Sequence, residues 1–118
     1  NTEFFDAGRI KFLSLLYSNQ LEKSKDFLDS LFPDSRFKAI QFLLNEASVA
    51  ITKDEFANAL KILEIIDVID KDNPMKLLKE ANIYGLVGDE KRKNEILNKI
   101  DSSFPKYFIS HFNYIFNI

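Results

Sequence analysis

The sequence predicts an all-α protein, and three features of its 118 residues support this. Apolar residues recur at the i, i+3, i+4, i+7 spacing of one helix face along most of the chain. Only 3 residues are glycine and 3 are proline, which is too few for the many turns of a β protein. The two-residue alternation of a half-buried strand is not sustained over any long stretch. We therefore expect seven helices whose short connections force neighbours to pack antiparallel.

Four apolar stripes define the helices of the first half of the chain. The first two comprise Phe5, Phe12, Leu13 and Leu16, and then Leu21, Leu28, Leu31 and Phe32. The third and fourth comprise Phe37, Ile40, Leu44, Ala47 and Ile51, and then Phe56, Ala59, Leu60, Leu63 and Ile66. Together with the signals at helix ends, the pattern predicts helices over roughly 3–17, 20–32, 35–51, 53–70, 74–87, 89–100 and 104–117.

Capping residues mark several of these boundaries. Thr52 is followed three residues later by Glu55, which is the capping-box pattern and predicts the start of the fourth helix. Asn73 directly before Pro74 predicts an N-cap followed by the first helical residue.

Two further boundaries depend on a glycine and on short polar side chains. Gly88 is the expected stop of the fifth helix, and Asp89 is the expected cap of the sixth. Asp34 or Ser35 is expected to cap the third helix.

A spacing of 34 residues relates the helices of the middle of the chain to those that follow. It separates Ala47 from Ala81, Leu63 from Leu97, and Ile66 from Ile100. This is the period of the tetratricopeptide repeat.

At these residues the sequence resembles a tetratricopeptide repeat, most clearly over residues 40–107. Residues 74–107 match the family pattern at Ala81, Tyr84, Gly88, Asp89, Leu97, Ile100 and Pro105, and residues 40–73 match it at Ala47, Ala59, Leu63 and Ile66. The sequence departs from the pattern at Lys93, where the family has a small alanine, and at Lys71, where it has a proline.

The resemblance implies a short right-handed α-solenoid that forms one helical-repeat domain over residues 1–118. A helical pair would occupy 3–33, the two repeats 40–73 and 74–107, and a capping helix 104–117. Because the chain begins at Asn1 and not at Met, we expect it to be a fragment of a longer protein, either cytoplasmic or from the cell envelope.

No residue pattern predicts catalysis or a bound cofactor. Cysteine is absent, and His111 is the single histidine, so thiolate or histidine-rich metal sites are not expected. The stretch from Asp70 resembles the start of a calcium loop, but Met75 stands where that loop requires glycine. Motifs of phosphate-binding loops, zinc proteases and serine hydrolases do not occur. We therefore expect a protein that is not an enzyme and that has no cofactor.

The charge balance and the length of the apolar runs exclude two classes of partner. The net charge is −2 and the isoelectric point is about 5.4, which gives no general attraction to nucleic acid. No apolar run is long enough to cross a bilayer. The expected partner is therefore another protein.

The resemblance to tetratricopeptide repeats implies a groove lined by the first helix of each pair. It assigns to that groove Gln41, Leu44, Asn45 and Ser48 in one repeat, and Met75, Leu78, Lys79 and Asn82 in the next. This mixture of apolar and amide side chains suits a partner helix or an extended apolar segment.

The last twelve residues, YFISHFNYIFNI, contain neither an acid nor a lysine or arginine. We expect a helix that is either a buried cap or an interface with a partner or a second copy. The interface would comprise Phe108, His111, Tyr114, Ile115 and Ile118.

The function hypothesis is a non-enzymatic adaptor or scaffold that binds a partner protein. The alternative is a structural cap or self-association module of a longer chain.

Overall fold

The computed structural model of the chain describes residues 2–103, with side chains from residue 6 onward, and over this range it confirms the all-α prediction. Six helices account for most of these residues, and no strand occurs among them. The predicted seventh helix, 104–117, lies outside the described residues. The observed helices are α1 (Thr2–Tyr17), α2 (Leu21–Leu31), α3 (Arg36–Thr52), α4 (Phe56–Ile69), α5 (Pro74–Leu86) and α6 (Glu90–Ser103).

The chain divides into two compact units, Asn1–Ile69 and Asp70–Ile118. In the first unit α1 packs on α2, α2 on α3 and α3 on α4, and α4 also contacts α1. Four consecutive helices are thereby joined in a ring, as in a helical bundle. In the second unit α5 packs on α6. The right-handed solenoid and the tetratricopeptide register stay predictions.

Three phenylalanine rings form the centre of the first unit. Phe12 and Phe42 meet edge to face with their centroids 5.7 Å apart, and Phe32 lies 5.5 Å from Phe42. Such geometries are favourable because the positive edge of one ring meets the negative face of the next. The large side chains that are fully buried in this unit are Phe12, Leu16, Leu28, Leu43, Ile62, Leu63, Ile65 and Ile66.

The buried face of α3 differs from the predicted stripe. Phe37, the first residue of that stripe, leaves 69% of its area exposed. Leu44 and Ala47 of the stripe are buried as predicted, and the other buried residues of α3 are Ala39, Phe42, Leu43, Glu46 and Ala50. The centre of the buried face therefore lies about a quarter of a turn away from the centre of the predicted one at 100° per residue. Since α3 is apolar on nearly every side, its periodicity alone did not fix its orientation.

The second unit has a small apolar centre where α5 meets α6. Leu77, Leu78 and Ile100 are buried there, and Ile96 and Leu97 pack against them. The sequence assigned Leu97 and Ile100 to a buried face. Ile100 is buried, and Leu97 is half-buried.

A glycine on α5 accommodates Lys93 of α6. A Cβ atom placed on Gly85 would lie 3.2 Å from Cδ of Lys93. The absence of a side chain at Gly85 therefore leaves room for the stem of Lys93.

Most of the predicted helix caps are confirmed. The Ser35 hydroxyl accepts a hydrogen bond from the backbone N–H of Lys38 at 3.1 Å. Asn73 Oδ1 accepts from the N–H groups of Met75 and Lys76 at 3.0 and 3.1 Å.

The turn before α6 also follows the prediction. Gly88 has a φ of 84°, the left-handed conformation that glycine adopts without strain. Asp89 Oδ1 accepts from the N–H of Arg92 at 3.1 Å.

The capping box predicted at Thr52 is wrong. Thr52 is the last residue of α3, and its hydroxyl donates to the carbonyl of Val49 at 2.7 Å. The chain then turns through Asp54, which has a left-handed φ of 59°, and α4 begins at Phe56. The fourth helix therefore starts three residues later than the sequence indicated.

Candidate protein-interaction surface

The four residues that the sequence assigned to a groove on α3 differ in exposure. Gln41 and Asn45 are exposed, and Ser48 is half-buried. Leu44 is buried, so its side chain is not available to a partner without a change in packing. Of the four predicted residues on α3, the two amides and the hydroxyl are therefore accessible to a partner, and the leucine is not.

The four residues assigned to α5 lie in the second unit and are more enclosed. Leu78 is buried, and Met75, Lys79 and Asn82 are half-buried. Burial lowers the pKa of Lys79 below its ordinary value, because a charged ammonium group is disfavoured away from water. This set offers less accessible side-chain area than the set on α3. The C-terminal set, Phe108, His111, Tyr114, Ile115 and Ile118, lies outside the described residues.

One continuous face of α3 is open to solvent, and we call it the α3 face. It spans the helix from its first turn to its last. Its members are Phe37, Lys38, Gln41, Asn45, Ser48, Val49 and Thr52. They fall within about one third of the helix circumference at 100° per residue. Phe37 and Val49, its two exposed apolar members, are exposed to 69% and 39%.

Sequence reasoning missed Phe37 and Val49 as surface residues. Phe37 was placed in the core, and Val49 was assigned no role. The signal that was present in the sequence is the stretch between Ala39 and Thr52, which contains one charged residue in a chain that is 29% charged. A helix with so few charges has apolar or neutral residues on its solvent side as well as on its buried side.

The single charge within this stretch, Glu46, does not reach the α3 face. Glu46 is 8% exposed, and its carboxylate is bound by the guanidinium of Arg9 on α1. Arg9 Nη2 donates to Oε2 of Glu46 at 2.9 Å, and Arg9 Nε donates to Oε1. The hydrogen bonds to Glu46 raise the pKa of Arg9 above its ordinary value. Lys38 is consequently the one charged side chain on the α3 face.

The exposed surfaces of α2 and α6, in contrast, are rich in charged residues. The exposed positions of α2 include Glu22, Lys23, Asp26 and Asp29. Those of α6 include Glu90, Lys91, Arg92, Glu95 and Lys99. Their surfaces are solvated by charges of both signs. The α3 face is distinguished from these by its single charge, that of Lys38, and by its exposed aromatic ring.

A cavity of about 440 Å³ lies at the turn between α2 and α3. Its lining includes Phe32, Pro33, Ser35 and Arg36. One guanidinium nitrogen of Arg36 donates to the carbonyl of Ile69 at 2.9 Å.

The described residues contain neither a candidate metal site nor a candidate membrane span. Among residues 2–103, no three histidine, cysteine, aspartate or glutamate side chains lie close enough to hold a metal ion together. Over the same range, no helix combines the length and the apolar character needed to cross a membrane. The α3 face is therefore the candidate site that the geometry of the described chain supports best.

Comparison of the chain with protein-family models, with curated proteins and with solved structures found no match.

Proposed function

We propose that this chain is a non-enzymatic protein-interaction module of tetratricopeptide-like helical pairs, an adaptor or scaffold that binds a partner protein through the α3 face. The observation that carries the proposal is the exposure of Phe37 at 69% beside the uncharged positions Gln41 and Asn45. Aromatic residues are enriched in the centres of protein interfaces and charged residues are depleted there.

The chemistry of the face indicates what kind of partner fits. Phe37 and Val49 offer apolar contact at the two ends, and the amides of Gln41 and Asn45 donate and accept hydrogen bonds between them. Away from Lys38, a partner that placed a charge against this face would lose solvation without gaining an opposite charge. The partner therefore presents a helix or extended segment that is mostly uncharged.

Substitution of Phe37 tests the proposal. With the chain as bait in a lysate of its source cells, Phe37→Asp should lose the captured partner, because the variant removes the exposed ring and places a charge on the α3 face. Ile10→Asp is the matched control, since Ile10 on α1 is exposed to a similar degree, 64%. Capture that is equal for both variants and the wild type would contradict the assignment of this face.

A further inference from the structure

We draw no further inference here: the strongest candidate, the groove of about 420 Å³ between α1 and α2 that is lined by Lys11, Leu15, Lys23, Asp26, Phe27 and Ser30, carries charges of both signs that favour no one partner, and nothing in the structure shows what covers it.

Discussion

The guanidinium of Arg9 on α1 donates hydrogen bonds to both carboxylate oxygens of Glu46 on α3. The side chain of Glu46 is the more enclosed of the two, at 10% exposed against 34% for Arg9. This pairing allows a carboxylate on the buried side of α3 and keeps its charge away from the α3 face.

Removal of Arg9 should destabilise the first unit more than conservative replacement of Glu46. Arg9→Met leaves a buried carboxylate without these two hydrogen bonds, which should cost about 1–3 kcal/mol of unfolding free energy. Glu46→Gln keeps one acceptor oxygen, and the partly exposed Arg9 regains water, so its cost should be smaller. Denaturant unfolding of the variants measures the difference.

The double variant Arg9→Met with Glu46→Met is the control for this pair. It replaces both charges by apolar side chains, which is often close to neutral for a buried ion pair. If the double variant were as unstable as the sum of Arg9→Met and Glu46→Met measured singly, the stabilising contribution would come from packing and not from the pairing of charges.

Two helical glycines should respond differently to alanine. A Cβ on Gly85 would meet the flexible stem of Lys93 at 3.2 Å, whereas a Cβ on Gly8 would meet Cδ2 of Leu31 at 2.7 Å. Alanine gains about 1 kcal/mol over glycine in a helix interior, and overpacking costs about 1–3 kcal/mol. Gly85→Ala should therefore be neutral or stabilising by up to about 1 kcal/mol. Gly8→Ala should be destabilising by about 1 kcal/mol.

Thermal or denaturant unfolding of the two alanine variants tests the glycine prediction. Equal gains in stability at both positions would show that α1 and α2 are farther apart at Gly8 than the structure describes. Each variant serves as the control of the other, since the helix-propensity gain is the same in both.

Ala81 on α5 should not tolerate a larger side chain. It is 1% exposed, so a larger side chain has no open space to enter. Ala81→Leu should overpack its surroundings and cost about 1–3 kcal/mol. Ala57→Leu, at an exposed position of α4, is the matched control and should change the denaturation midpoint little.

Tyr17 should make stability fall at alkaline pH. Burial raises the pKa of its phenol above the ordinary value of 10.0, and the nearby carboxylates of Glu55 and Glu46 add to the shift. The unfolded chain therefore releases the phenolic proton at a lower pH than the folded chain. The contribution of Tyr17 is fully present below pH 10.0 and is lost as the pH rises through the folded-state pKa.

Comparison with Tyr17→Phe isolates this effect from other alkaline titrations. The difference in unfolding free energy between wild type and variant should be constant below pH 10.0 and should decrease above it. A difference that stays constant throughout the alkaline range would contradict the shift. Lys79, whose pKa is lowered by burial, acts in the opposite direction and is present in both proteins.

Local signals allowed much of the fold to be predicted from the sequence. Asn73 and Asp89 cap helices because a short polar side chain reaches backbone N–H groups two or three residues ahead, and this depends only on neighbouring residues. The capping box at Thr52 failed because α3 continues through it, and its hydroxyl bonds back to Val49.

The orientation of α3 was not predictable in the same way. Judged from its neighbours in sequence alone, a glutamate at position 46 predicts that its side of the helix faces solvent. Its burial depends on Arg9, 37 residues earlier in the chain, and no periodicity reveals such a partner. The stripe assignment therefore placed Phe37 inside and overlooked Val49, the two residues that now define the ends of the α3 face.

The ring of contacts in the first unit has a consequence for the order in which the chain folds. Three of the contacts, α1–α2, α2–α3 and α3–α4, join consecutive helices and close only short loops, whereas α1–α4 must close a loop that contains two whole helices. The closing contact carries the largest entropic cost and should form late, after the consecutive pairs. Substitutions between α1 and α4 should then speed unfolding while changing the refolding rate little.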